Sequence, residues 1–268
     1  MADSDEHTRT EDAELVEQLR SQGILGPFSI CDWAALSDRG LSRPNNEDRW
    51  LGDPETGFVV ADGMGGHAGG ELAADTAVRA AFERLAEFDE SSAREHVDRV
   101  NAAVVRVGTE QGVEGLGTTL VAVANRRTHV VVVSVGDSRV YRCRDGELEA
   151  LTHDHSVRNE LLAAGVSLDE AEQARVRLDA LTAFIGQRSQ FPPAFRVASY
   201  SVMSGDRLLL CTDGIHGQID EAAMLSGLAA PSCRAAAQEL IDAAERAGGR
   251  DNATAVVVEF APDAGAPA

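Results

Sequence analysis

Apolar positions along this 268-residue chain follow two rhythms. Short runs rich in Val, Ile, Leu and Phe recur at Phe28 to Leu36, Phe58 to Ala61, Thr118 to Ala124, Val130 to Val135 and Val140 to Cys143. Three more follow at Ala194 to Val202, Arg207 to Cys211 and Thr254 to Phe260. Their composition predicts strands. Between them, Leu72, Ala73, Thr76, Ala77, Ala80, Ala81 and Leu85 repeat at helical spacing, and further helices are expected from about Ala93 to Gln111, Ser156 to Ala164, Glu221 to Leu228 and Cys233 to Ala247. Trp50 and Leu51 pair with Phe58 to Ala61 as a hairpin around Gly52-Asp53-Pro54. The links Asn125-Arg126-Arg127 and Gly136-Asp137-Ser138 are too short for helical crossovers, so the strands they join are expected to be antiparallel neighbours.

Polar stretches divide these elements. Ser37 to Asp48 is a loop whose Pro44 excludes regular helix, and Gly165 to Leu178, mixing acidic residues with Arg, reads as a surface flap. Residues 1–27 are acidic and polar, with one weakly amphipathic patch at Glu14 to Leu19, and read as a disordered tail. Residues 262–268 read as a flexible Pro/Ala/Gly tail. Neither a linker nor an internal repeat interrupts residues 28–261, so a single domain is expected there.

Composition narrows the class. With 44% hydrophobic and 25% charged residues the chain reads as globular, and no apolar stretch approaches the roughly 20 residues of a membrane span. A formal net charge of -20 disfavours nucleic acid and anionic membranes, because it repels phosphate backbones. All 24 basic residues are Arg. Cys31, Cys143, Cys211 and Cys233 form no C-x-x-C pair, and reduced, buried thiols are expected. No signal peptide is recognisable, so the expected location is the cytoplasm.

The chemistry concentrates where strands stop. Phe58-Val-Val-Ala61 ends on Asp62 and the glycine-rich turn Gly63-Met-Gly-Gly-His67; Arg207 to Cys211 ends on Thr212-Asp213-Gly214; and Asp251-Asn252 precedes the last strand. Glu47, Asp48, Asp62, Asp137, Asp213 and Asp251 can therefore converge at one rim of a sheet core. Packed carboxylates repel one another unless a cation neutralises them, and an all-oxygen donor set selects Mg²⁺ or Mn²⁺ over zinc. The segment Gly63 to Ala68 also fits the G-x-G-x-x-[GA] dinucleotide fingerprint. That reading fails in context, since it needs repeating βαβ units and an acidic residue ending the next strand, whereas Glu83 lies inside a helix.

Seven pieces in order resemble the protein phosphatase 2C family of metal-dependent serine/threonine phosphatases, bacterial type. They are Ser37-Asp-x-Gly40 with Arg43-x-x-Asn46-Glu47-Asp48, Val60-Ala-Asp62-Gly63-Met-Gly-Gly-His67, Gly117-Thr118-Thr119, Gly136-Asp137-Ser138-Arg139, Leu151-Thr152-x-Asp154-His155-Ser156, Cys211-Thr-Asp213-Gly214 and Asp251-Asn252-x-Thr254. The resemblance spans about Phe28 to Phe260. It implies an α+β fold, a four-layer α-β-β-α sandwich of two antiparallel sheets flanked by helix pairs. It also implies two Mn²⁺ or Mg²⁺ ions, with a third, weaker one. Carried over, Asp62 bridges the two metals, the Gly63 carbonyl binds the first, and Asp213 and Asp251 bind the second. Glu47 and Asp48 hold metal-bound waters, and Asp137 shares the third ion with Asp213. Arg43 clamps the phosphate, His67 is the candidate proton donor to the leaving oxygen, and Asn252 orients Asp251 or a nearby water. His155, Gly117-Thr118-Thr119 and Ser138-Arg139 are expected to be structural.

The chain departs from relatives at Leu181-Thr182-Ala183-Phe184-Ile185-Gly186, where an arginine is lost and an aromatic gained, and at Gly217. These changes bear on substrate preference and the third metal. The resemblance thus implies hydrolysis of phosphoserine and phosphothreonine on proteins that are substrates of a kinase, by a cytoplasmic monomer that binds neither nucleic acid nor membrane. The alternative is a catalytically silent scaffold that binds phosphoproteins or a kinase.

Overall fold

The computed structural model describes residues 27–64, 68–113, 115–169, 175–188 and 192–263. The N-terminal tail with its patch at Glu14 to Leu19, part of the flap and the end of the C-terminal tail lie outside the described residues.

The strand-forming runs assemble into two five-stranded antiparallel sheets. One has the order β1 (Phe28–Asp38), β12 (Ala253–Pro262), β11 (Arg207–Cys211), β8 (Arg139–Arg144), β9 (Glu147–Ala150); the other has β10 (Arg196–Ser201), β7 (His129–Val135), β6 (Leu120–Asn125), β3 (Gly57–Ala61), β2 (Arg49–Asp53). A two-stranded ribbon pairs β4 (Gly63–Met64) with β5 (Gly117–Thr118). The helices are α1 (Ala68–Phe82), α2 (Ala93–Gln111), α3 (Val157–Ala163), α4 (Asp213–His216), α5 (Glu221–Leu228) and α6 (Cys233–Arg246).

Why the runs are continuously apolar follows from the layers. In β6 and β7, Leu120, Ala122, Ala124, Val131, Val133 and Val135 join the core under α1 and α2, whereas Val121, Val123, Val130 and Val132 join the core between the sheets. In β11 and β12, Leu209, Cys211, Ala255 and Val257 face α5 and α6, and Leu208, Leu210, Val256 and Val258 face the other sheet. Both faces of the central strands are therefore dry, so alternation between apolar and polar disappears there. Small residues on α1 (Ala73, Ala74, Ala77, Ala81) and α6 (Ala236, Ala237, Ala244) let the helices approach their sheets closely. The result is the four-layer α-β-β-α sandwich that the resemblance implied.

The β2–β3 hairpin forms as expected, and β6 and β7 are antiparallel neighbours. The next link is different. β7 belongs to one sheet, while β8 pairs with β11 and β9 in the other, so Gly136-Asp137-Ser138 crosses between sheets instead of closing a hairpin. Gly136 makes the crossing with φ of 97°, and a Cβ there would press on the Thr119 side chain at 2.8 Å. Strand β9 escapes the sequence reading because Glu-Leu-Glu-Ala is a largely exposed edge. Leu85 lies in a 3₁₀ turn beyond α1 but is fully buried in the same core. All four cysteines are free, but only Cys211 and Cys233 are buried; Cys31 is exposed, next to the register shift between Ile30 and Asp32 on the edge strand β1, which corrects the expectation of uniformly buried thiols.

Candidate metal centre

Both sheets end at a common rim, and the acidic residues sit there because each lies within two residues of a strand end. Asp62 follows β3, Asp213 follows β11, Asp251 precedes β12, Glu47 and Asp48 precede β2, and Asp137 lies in the crossing from β7 to β8. The register brings these ends level: Arg49 pairs with Ala61, Cys211 with both Ala255 and Arg139, and Asp38 with Ala253.

Backbone and hydroxyl contacts fix the rim. The Asp62 N–H donates to Thr119 Oγ1 (2.9 Å), and the Asp62 carbonyl accepts from Thr118 Oγ1 (2.8 Å) and the Thr119 N–H (2.9 Å). These bonds consume the Asp62 backbone and leave its carboxyl for the site. Thr119 Oγ1 in turn meets Ser138 Oγ at 2.7 Å, tying the β3 end to the inter-sheet crossing. His155 secures the same crossing, its N–H donating to the Gly136 carbonyl at 2.8 Å, and Arg139 grips Asp154 through two bonds of 2.7 Å.

Asp48 is the deepest of the acids, 1% exposed. Its Oδ2 accepts from Thr212 Oγ1 (2.8 Å) and Thr254 Oγ1 (2.7 Å), one residue from each neighbouring strand end, while its Oδ1 has no partner among the described residues. Asp213 Oδ1 is likewise buried without a partner. Asp62 and Asp213 lie close enough for their carboxylates to influence one another. Burial, compounded by mutual repulsion, pushes Asp48 and Asp137 up to about 7 and holds Asp62 well above the usual carboxylate range. Asp213 is raised by burial and by Asp251.

The glycine turn completes the donor set. Gly63 lies against Gly70 and the Glu47 backbone, and a Cβ on Gly70 would overlap Glu47 Oε2. The Glu47 carboxylate therefore rests on the first turn of α1, beside the Gly63 carbonyl. Arg43 donates through Nη2 to Asp251 Oδ2 at 2.6 Å. His67 lies outside the described residues.

Among the described residues no group of three or more His, Cys, Asp or Glu side chains is arranged to chelate an ion unaided. The donors that do converge are carboxylate oxygens, two of them buried and unpartnered, together with a backbone carbonyl. Such a set fits a hard cation that retains several waters, as Mg²⁺ does, and not a fully caged zinc.

Three features escaped the sequence reading. Asn252 does not use its side chain on Asp251: its Nδ2 donates to the Arg39 and Asn45 carbonyls and its Oδ1 accepts from the Glu47 N–H, each at 2.8 Å, so it staples the Arg43 to Glu47 loop to β12. His216 Nε2 donates to the Asp137 carbonyl at 3.0 Å, joining α4 to the crossing. Thr212 and Thr254 clamp Asp48; a hydroxyl ending each of two otherwise aliphatic strands was the signal available.

A model of the family described as protein phosphatase 2C matches residues 43–247. The chain belongs to the protein phosphatase 2C family. Serine/threonine protein phosphatase PstP of Mycobacterium tuberculosis is 35% identical over 240 residues, covering 86% of this chain and 45% of PstP, so the chain spans about half the length of that relative. Serine/threonine phosphatase stp of Listeria welshimeri is 34% identical over 237 residues, covering 83% of this chain and 93% of the relative. Among solved structures, the PstP catalytic domain in complex with two manganese ions superimposes with a TM-score of 0.73 at 34% identity, covering 87% of this chain and 99% of that one. The acidic rim thus occupies one end of a protein phosphatase 2C sandwich.

Proposed function

We propose that this chain hydrolyses phosphoserine and phosphothreonine on proteins, using two Mn²⁺ or Mg²⁺ ions at the acidic rim. The observation that carries this reading is the convergence of Glu47, Asp48, Asp62, Asp137, Asp213 and Asp251 at one end of a protein phosphatase 2C fold, with buried carboxylate oxygens left without partners. Asp62, the Gly63 carbonyl, Asp213 and Asp251 would hold the pair of ions, and Asp137 with Asp213 a third. When bound, the ions acidify water and offset charge on the phosphoryl oxygens.

The chain's own groups do the rest. Thr212 and Thr254 pin one oxygen of Asp48, leaving the other to orient a water and accept its proton. Arg43 is half exposed and would transfer from Asp251 to two oxygens of an incoming phosphate. Water then attacks phosphorus directly, the P–O bond to the seryl or threonyl oxygen breaks, and that oxygen takes a proton. His67 is the proposed donor. Asn252 keeps Glu47 and Arg43 on a rigid loop.

Relatives of the family act on phosphorylated proteins. For this chain the further proposal is a cytoplasmic monomer opposing a serine/threonine kinase, without affinity for nucleic acid or membrane; no helix among the described residues is long and apolar enough to cross a membrane. The deciding experiment is phosphate release from a phosphothreonine peptide by metal-stripped protein, with and without Mn²⁺, beside Asp213→Asn. Turnover that requires Mn²⁺ and collapses in the variant is expected. Folded wild type that binds Mn²⁺ yet releases no phosphate would favour the silent scaffold.

A further inference from the structure

The stretch Ser37-Asp-x-Gly40 has no part in the site as described, yet Ser37 stands at the head of a line of hydrogen bonds that ends on Asp48. Ser37 is exposed on the edge strand β1, directly opposite Thr254 of β12, which is fully buried. Ser37 Oγ meets Thr254 Oγ1 at 2.7 Å, and Thr254 Oγ1 meets Asp48 Oδ2 at 2.7 Å. From the other side, Asn46 Nδ2 approaches Ser37 Oγ at 2.8 Å.

The capacities of these groups to donate and accept fix the direction of the line. Asn46 Oδ1 accepts from the Asp48 N–H at 3.1 Å, so the amide face turned to Ser37 is the NH₂ group, which can only donate. Accepting there, Ser37 turns its own proton to Thr254 Oγ1, and Thr254 turns its proton to Asp48. Thr212 Oγ1 accepts from the Thr254 N–H at 3.1 Å, which leaves its proton for the same carboxylate oxygen at 2.8 Å. Each hydroxyl is then both acceptor and donor, and each accepted bond strengthens the next one donated. The line also closes on itself. Asn46 holds the Asp48 backbone directly and its carboxyl through Ser37 and Thr254, so both ends of Asp48 are set by one ring of contacts. With Oδ2 given over to two hydroxyls, whatever Asp48 does at the rim falls to Oδ1, the oxygen without a partner among the described residues.

From this geometry we infer that Ser37 is a positioning residue for the acidic rim. Its hydroxyl bonds to Asn46 and Thr254, and through Thr254 it holds the Asp48 carboxyl in the one orientation that commits Oδ2 and frees Oδ1. Its effect on turnover rests on the phosphatase reading above, whereas its effect on Mn²⁺ binding does not.

The test is a calorimetric titration of metal-stripped Ser37→Ala with Mn²⁺ beside wild type, with kcat and KM for a phosphothreonine peptide measured in parallel. Mn²⁺ affinity and kcat are each expected to fall about tenfold while KM for the peptide holds. Ser37→Thr, which keeps the hydroxyl, is expected to recover both. In an Asp48→Asn background Ser37→Ala is expected to lower neither any further, because the carboxylate it serves is gone; a serine that merely supports the strand would cost the same in both backgrounds. Wild-type Mn²⁺ affinity in Ser37→Ala overturns the assignment, as does a loss that Ser37→Thr does not recover or that persists undiminished beside Asp48→Asn. Wild type that binds Mn²⁺ but releases no phosphate would end the phosphatase reading, and the calorimetric comparison would still decide the role of Ser37.

Discussion

The two ends of strand β11 carry aspartates in opposite circumstances. Asp206, entering the strand, is 1% exposed and fully answered: Arg144 donates through Nε (2.7 Å) and Nη2 (2.6 Å), and the Met203 N–H adds a third bond at 2.8 Å. At the exit, Asp213 faces Asp62 and Asp251, and one of its oxygens has no partner among the described residues. The same strand therefore ends once in a closed ion pair and once in an acidic cluster answered only in part by the half-exposed Arg43. A buried carboxylate that serves the fold brings its own cation; one that serves chemistry is left for a cation from solution.

Exchanging the two ends in turn tests this contrast. The largest expected effect is in Asp213→Asn, where phosphopeptide turnover should fall on the order of 10³-fold while the melting temperature of metal-free protein holds or rises, because a repelling charge is gone. Retained turnover would remove Asp213 from the centre. Asp206→Asn should behave inversely: chemical denaturation is expected to show a loss of about 3 kcal/mol, since Arg144 is left without its partner, with turnover per folded molecule unchanged.

Asp48 sharpens the comparison through pH. Its folded value of about 7 lies above the unfolded value near 3.9, so the folded state binds the extra proton between these limits. The linked stability is fully present below pH 4 and is lost as pH rises through 7. In metal-free protein Asp48→Asn should match wild type near pH 4 and exceed it by up to about 4 kcal/mol at pH 8; saturating Mn²⁺ should shrink that advantage. A constant difference across pH would show that Asp48 is not held protonated. His96 and His216, both pushed down to about 4 by burial, act with the opposite sign, destabilising the fold as pH falls from about 6.5, and they cancel in this comparison because both proteins contain them.

The smallest effect is expected at His216, which holds the Asp137 carbonyl and not a carboxylate. Calorimetric titration of His216→Ala should show Mn²⁺ affinity reduced about tenfold, with His216→Gln, which keeps a donor, recovering part of it. Equal affinity in all three proteins would make the contact a matter of packing alone.

Much of this arrangement was legible in the chain. Valine-rich runs identify strands because each central strand is buried on both faces, and the carboxylates stand out because they end those runs abruptly, as at Asp62 after Phe58 to Ala61 and Asp213 after Arg207 to Cys211. These are local properties, set by the burial of each residue and its immediate neighbours. Tertiary structure alone decided which strands lie side by side. The Gly136-Asp137-Ser138 link reads as a hairpin in one dimension, yet it spans two sheets, with β8 paired to β11 and β9 and not to β7. The same holds for Asn252, whose three bonds run to residues about 200 positions earlier, and for His216, whose partner lies 79 positions away. Hydrogen bonds of that reach depend on the completed packing of the layers, and no local pattern along the chain records them.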